Sequence, residues 1–471
     1  MIMKTTLKNW FTHQNKTGVL LILLLSVSFS GCDDFLEVDA PLGQIPHQEV
    51  FTDEATATAA TTSLYGKLRD LVMVSGSNSG MGVLMGLYAD ELDFYGMPWD
   101  TAQTLYFHNV LATDPAVQSI WDNAYNLIYM CNAVLEGLEN ADQLPAEFKQ
   151  HLRGEALFVR GLVHFYLVNL FGDIPYPKTT DYQSNGKIKK IPEAMVYDAI
   201  LDDLSNAKGL LGDSYITGER TRANSWAVSA LIARVYLYLG RWQEAEAESG
   251  RIINNASLFT LETELNNVFL KESRSAILQL KPQNPGSNSQ EASTYIFDSP
   301  PPPFVALSSA LVASMQPNDL RKTQWIGEVS DGSQSWYYAY KYKQQFNTGS
   351  SMEYSIVLRL AEQYLIRAEA RANQNNIAGA QQDINAIRLR AGLDNTQANT
   401  PEQLRLAILQ ERRFELFAEH GHRWFDIRRF GMANEILSPI KTAWKPTDVL
   451  LPIPESDLLL NPNLAPQNPG Y

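Results

Sequence analysis

Helical spacing of apolar residues dominates this chain. Between Val117 and Leu138, the residues Ile120, Trp121, Ala124, Leu127, Ile128, Cys131, Val134 and Leu135 fall on one stripe of period 3.6. That pattern predicts an amphipathic helix with one buried face. Residues 148–170 repeat it through Leu152, Ala156, Val159, Val163, Tyr166, Leu167 and Leu170, and Gly172-Asp173-Ile174-Pro175 supplies a stop. Residues 51–71 open on Thr52-Asp53-Glu54-Ala55, a capped start, and residues 192–211 carry Pro192 in the first turn, where its missing N–H costs nothing.

Two further helical units resemble each other. Ala230–Gly240 is followed by Arg241–Ala245, and Leu360–Ala370 by Asn373–Ile377 and Ala380. A short polar turn and then an Ala facing the preceding helix is the arrangement of a tetratricopeptide repeat, in which stacked helix pairs bury a shared core. Trp226 and Trp242 take packing positions in these units. Two stretches break the helical period: 75–114, and 281–351 with Pro282, Pro285 and the run Pro300–Pro303. The second is too long for a plain connector, and stretches such as Ser335–Tyr342 have no helical period and read as short strands or ordered loops. The tail from Trp444 to Tyr471 is Pro-rich and largely non-helical. The expected fold is mostly α: a TPR-like helical-repeat superhelix scaffold with long irregular loops and a few short strands.

The N-terminus changes where this fold is placed. Lys4, Lys8 and Lys16 precede an apolar run from Val19 to Leu25 that is too short to span a bilayer, and small residues follow it. This is the make-up of a secretory signal. Ser30-Gly31-Cys32 resembles a bacterial lipobox, with Phe29 where Leu is usual, so Cys32 is the expected lipid attachment site. Asp33-Asp34 resembles the signal that sends Bacteroidetes lipoproteins to the cell surface. Cys131, the other cysteine, sits in a helical pattern and reads as a core residue rather than a disulfide partner.

Composition excludes some partners. The formal net charge is −14, and removing the three lysines before Cys32 takes the remainder to −17. An acidic surface repels phosphate backbones, so no nucleic-acid partner is expected. Catalytic signatures are missing: Gly76-Ser77-Asn78-Ser79-Gly80 places Asn where a nucleophile elbow needs Ser, and no phosphate-binding glycine pattern follows a strand. His420 and His422 have no third ligand at useful spacing. Glycoside hydrolysis needs two carboxyls facing across a cleft, for which Asp90, Glu91 and Asp93 could in principle be recruited. Glu411, Glu415 and Glu419 recur every four residues among Arg412, Arg413, Arg423, Arg428 and Arg429, which reads as structural ion pairing.

Several blocks together resemble one family. GEALFVRGLVHFYLVNLFGDIP (154–175), RLAEQYL (359–365) through IRLRAGL (387–393), ERRFEL (411–416) with GHRWFDIRRFG (421–431), and the ending LPIP (451–454), NP (461–462), QNPGY (467–471) are similar, in order, to the SusD/RagB family. The resemblance implies a non-enzymatic outer-membrane lipoprotein with no cofactor and no metal. It implies binding of a glycan and delivery to a SusC-like TonB-dependent transporter. A peptide-binding member of the family, or a TPR-like assembly scaffold without a small ligand, are the other readings. The expected organisation is a signal peptide at 1–31, a lipid-anchored linker at 32–50, an N-terminal helical region at 51–275 and a C-terminal region at 276–471. Within the last, 276–353 is irregular, 354–437 helical and the tail Pro-rich, all in one compact domain.

A glycan site needs flat aromatic platforms for sugar C–H faces, with hydrogen-bonding groups at the rim, and irregular loops present such side chains best. The loop Ala89–Asp100 answers this, with Asp93, Tyr95, Trp99 and Asp100. The family resemblance points to Trp99 first and Tyr95 second. The 281–351 stretch adds Tyr295, Trp325, Trp336 and Tyr338. Alternation puts Trp336, Tyr338, Tyr340 and Tyr342 on one strand face.

Overall fold

The computed structural model describes residues 50–71 and 73–471; the expected signal peptide at 1–31, Cys32, the acidic pair behind it and nearly all of the expected linker at 32–50 lie outside the described residues. The long helices follow the apolar stripes closely. Helix α1 (Glu54–Asp70) starts where the Asp53 carboxylate accepts from the N–H groups of Ala55 and Thr56. One helix not predicted from the sequence comes next, α2 (Met81–Tyr88). Then come α3 (Pro115–Glu139), capped by Asp114, and α4 (Ala146–Phe171), which ends at Gly172 with φ +73°. They are followed by α5 (Glu193–Leu210), α6 (Ser225–Tyr238) and α7 (Trp242–Ile253). After the irregular middle come α8 (Leu360–Asn373), α9 (Ile377–Arg390), α10 (Pro401–Leu416) and α11 (His422–Arg429). Residues Phe51–Tyr471 form one compact unit. Among the described residues no helix is long and apolar enough to cross a membrane.

The repeat-like units pack through small residues. Ala233, Leu237 and Ala245 of α6 and α7 bury against Ile366 and Ala370 of α8. Ala368, Ala372 and Ala380 continue the seam to Ile384, Leu404 and Ile408. The two units, more than a hundred residues apart in sequence, therefore lie side by side. Bidentate Arg–carboxylate forks lock the stack. Arg160 of α4 donates to Asp203 of α5 at 2.7 and 2.6 Å, and Arg234 of α6 to Glu362 of α8 at 2.6 and 2.7 Å. Arg367 grips Asp383 at 2.9 and 2.7 Å. A planar guanidinium with fixed donors suits such buried pairing. Cys131 is a buried free thiol, its pKa pushed up by burial.

The irregular stretches fold into one small antiparallel sheet beside the helices, and the segments flanking 281–351 form a second, so residues 355–359, expected as helix, are strand. Strands β1 (Leu92–Phe94), β3 (Val305–Leu307), β5 (Ser335–Ala339) and β4 (Ile326–Ser330) form one, in the order β1-β3-β5-β4. Strands β2 (Ala276–Leu280) and β6 (Ser355–Arg359), both fully buried, form the other. Helix α2 escaped the sequence reading because all eight of its residues are buried, so no polar face marks a period.

The acid and base cluster near the C-terminus is structural but pairs differently from its sequence order. Glu415 receives Arg359, Arg390 and Arg321 at 2.6, 2.5 and 3.2 Å, while Glu411 pairs with Arg321 and Arg388. The basic residues adjacent to these glutamates turn elsewhere. Arg412 and Arg429 hold Asp426, and Arg413 and Arg423 hold Asp90. Helix α10 stops at Leu416, so Glu419 lies beyond it, gripped by Arg359 and Lys341.

Candidate ligand-binding site

The loop carrying the predicted aromatics is anchored at its base by charge. Asp90 accepts three hydrogen bonds: Arg423 Nε at 2.7 Å, Arg423 Nη2 at 2.9 Å and Arg413 Nη2 at 2.8 Å. Burial alone would raise the Asp90 pKa, but the two guanidinium groups outweigh it and hold the carboxyl below its usual range. Next to it, burial pushes the enclosed Glu91 carboxyl up to about 7 while the Ala418 N–H donates to it at 3.2 Å. The chain then runs into β1, pairs with β3, and hands on at Tyr95 N–H to Phe304 O, 2.7 Å.

Beyond that point the loop turns outward. Asp100 closes the turn by accepting from Met97 N–H at 2.5 Å. Gly96 is required there, because a Cβ would lie 2.5 Å from the Asp100 carboxylate and 2.8 Å from the Phe304 ring. Trp99 projects from this turn 78% exposed, with Met97 at 57% and Tyr95 at 36%. An indole this exposed, held on a turn with a fixed base, is no core residue and leaves a ring face open to solvent. Trp336, half-buried on β5, lies beside Tyr95, but its indole N–H donates to no acceptor among the described residues. Burial and the Asp93 charge raise the Tyr95 pKa, and the neighbouring Trp336 side chain opposes them. Tyr95 and Trp336, far apart in sequence, therefore meet at one site.

Asp100 also borders a cleft of about 250 Å³ lined by Asn78, Ser79, Thr101, Ile120 and Phe304 among others. Asn78 and Ser79 are exposed at its rim, and Phe304 packs edge-on against Phe94 at 5.8 Å. Sequence reasoning weighed Gly76–Gly80 only for a nucleophile and passed over its amide and hydroxyl groups as hydrogen-bonders. Phe304 was also missed; the Pro300–Pro303 run just before it was the available signal.

Two predicted site residues are corrected. Trp325 is fully buried: its Nε1 donates to Leu265 O at 3.0 Å and its ring packs edge-on against Phe269. Tyr295 is also buried, its hydroxyl directed at Ala418 O. Both pack in the interior, enclosed by side chains from distant segments, so neither offers a ring face to a ligand. The remaining predictions are placed between these extremes. Tyr338 is half-buried, its ring lying across Gly327 and against Phe297 at 5.2 Å. Asp93 accepts from the Tyr106 hydroxyl at 3.2 Å, and Asp100 serves the turn described above. Of the strand face proposed from alternation, Tyr342 is buried and Trp336, Tyr338 and Tyr340 are half-buried.

None of Asp90, Glu91 and Asp93 lines the cleft. His420 and His422 are buried, and burial lowers both pKa values. His420 Nε2 is 2.8 Å from Ile356 O, so its outer nitrogen is committed to the backbone. Among the described residues no group of three His, Cys, Asp or Glu is placed to hold a metal ion.

Comparison with known proteins places the chain. Residues 87–237 match a family model described as SusD-like, starch-binding associating with outer membrane, and residues 314–471 match the model of the SusD family. Between them the two models take in more than half of the chain. SusD-like protein P2 of Formosa agariphila is 28% identical over 515 aligned residues, covering 96% of this chain and 99% of that protein. Among solved structures, a SusD superfamily protein from Bacteroides vulgatus superposes with a TM-score of 0.75 at 21% identity, over 89% of this chain and 100% of that one. A laminarin-binding SusD-like protein does so with a TM-score of 0.76 at 23% identity, over the same shares of the two chains. This chain belongs to the SusD/RagB family.

Proposed function

We propose that this protein captures an oligo- or polysaccharide at the outer membrane, on the Trp99 turn, and delivers it to a SusC-like TonB-dependent transporter. The observation that carries the reading is the outward indole of Trp99 on a turn whose base is held by the Asp90 fork. A sugar's C–H face covers apolar area on such a ring, and the rim amide of Asn78 and hydroxyl of Ser79 can pair with its hydroxyls. The laminarin-binding relative of the same fold supports a glycan as the ligand class. Lipidation at Cys32 tethers the protein, and the chemistry on the glycan is left to other proteins.

The test is binding to a panel of purified polysaccharides by affinity gel and calorimetry, with wild type and Trp99→Ala side by side. One clear glycan ligand, lost or sharply weakened in the variant, is expected. Full affinity in Trp99→Ala removes Trp99 from the site, and binding to peptides with none to glycans removes the glycan reading.

A further inference from the structure

A second cleft, away from the Trp99 turn, lies between α3, the segment 175–188 and the short helix Glu455–Leu460. Its volume is about 470 Å³, within the range of roughly 300–1,000 Å³ typical of small-molecule sites. Trp121, Tyr125 and Tyr129 line it at intervals of four residues on α3. Residues so spaced share one helix face and advance about 6 Å per step, comparable to the advance per unit of an extended pyranose chain. Trp121 forms the buried floor, Tyr125 is half-buried and Tyr129 is 50% exposed.

The polar groups are placed as a sugar requires. Trp121 Nε1 donates to Asp457 at 3.2 Å, and Gln118 Nε2 bridges Asp122 at 2.7 Å and Asp457 at 3.0 Å. Each carboxylate has about four acceptor sites, so both keep lone pairs for ligand hydroxyls. The Asn126 amide and the Tyr129 hydroxyl, both lining the cleft, lie on its exposed side. The walls are tied across the fold. Tyr125 Oη donates to Pro175 O at 3.0 Å, Asn132 Nδ2 to Pro177 O at 3.1 Å and Asn461 Nδ2 to Ile188 O at 2.8 Å. A cleft already braced needs little ordering when a ligand enters. Two carboxylates at the rim disfavour an anionic sugar.

We infer that this cleft is a second saccharide site, taking a neutral oligosaccharide along the Tyr125–Tyr129 face independently of Trp99. It rests on the glycan reading above and adds a second point of attachment, which raises the retention of a long chain by effective concentration.

Trp121 is a built-in reporter. Fluorotryptophan-labelled protein is titrated with laminari-, cello-, malto- and xylo-oligosaccharides, and the Trp121 fluorine resonance is assigned by its loss in Trp121→Phe. At least one of these sugars is expected to move that resonance equally in wild type and Trp99→Ala. In Tyr129→Ala, whose exposed ring leaves the fold intact, the same shift should need about tenfold more sugar. A Trp121 resonance that none of the sugars moves overturns the second site, as does a titration unchanged by Tyr129→Ala. Failure of the Trp99 reading looks different: with the second site weakened by Tyr129→Ala, sugar binding by calorimetry that is still indifferent to an added Trp99→Ala, whatever Trp121 reports.

Discussion

Replacing Asp90 by Asn removes a negative charge that two guanidinium groups share. The side chains of Asp90, Arg413 and Arg423 are only 9%, 11% and 6% exposed. Breaking a buried pair from one side costs about 3–5 kcal/mol, because the partner charge is left enclosed and uncompensated. With its oxygen in the Oδ2 position, Asn can still accept two of the three hydrogen bonds, while its amide faces the Arg423 Nε donor, so Asp90→Asn belongs near about 3 kcal/mol and Asp90→Ala near about 5 kcal/mol. Urea unfolding at neutral pH measures both. Repeating it at about 1 M salt separates burial from surface attraction, since exposed pairs are screened there and enclosed ones much less. Because the carboxyl of folded Asp90 sits below 3.8, its contribution is complete above that pH and is lost as pH falls through the depressed value. The wild-type and Asp90→Asn curves therefore converge in acid. A cost under about 1 kcal/mol, or one that vanishes in salt, is the behaviour of a surface pair and refutes the claim that this fork anchors the loop.

Other expectations follow from the same contacts. In Trp99→Ala, loss of one ring face of an indole that is 78% exposed removes about 75 Å² of ligand contact. That is about 2 kcal/mol and roughly a 30-fold weaker Kd by calorimetry, with unfolding unchanged within about 0.5 kcal/mol. Trp325→Phe does the reverse: it orphans Leu265 O and costs about 1–3 kcal/mol in urea while leaving glycan affinity unaltered. Glu91 and Glu291 are both pushed by burial from 4.5 up to about 7. Between these values the folded state holds more protons than the unfolded one, so the contribution of these two groups to stability is greatest below pH 4.5 and is lost as pH rises through 7, by about 3 kcal/mol per group. A urea-midpoint profile that does not flatten over this window in the Glu91→Gln, Glu291→Gln double variant would falsify that assignment.

How far the chain could be read in advance depended on whether a residue's fate was decided locally. The helices α3, α4 and α5 carry an apolar stripe, and their ends are marked by Asp114, Gly172 and Pro192. Stripe and cap lie within a few residues of each other, so their boundaries were predicted to within a turn. Helix α2 was missed because uniform burial erases the period. The carboxylates of α10 were recognised as ion-paired, yet their partners Arg321, Arg359 and Arg390 come from segments that share no sequence proximity with them.

The same division runs through the ligand site. Sequence alone determined the helical-repeat architecture, the family, and an aromatic loop at Tyr95–Trp99, and it carries the pattern from which a secretory, lipobox-like N-terminus is expected. All of these are carried by short contiguous patterns. Tertiary structure decided which aromatics face outward. Trp99 and Trp325 are chemically identical and both sit in irregular segments, but one stands on a turn closed by Asp100 and the other lies fully buried with its N–H bonded to Leu265. Burial is a property of everything packed around a side chain, most of it distant in sequence. It also brought Tyr95 to Trp336, and built the cleft on α3 from a helix face, a loop and the C-terminal segment.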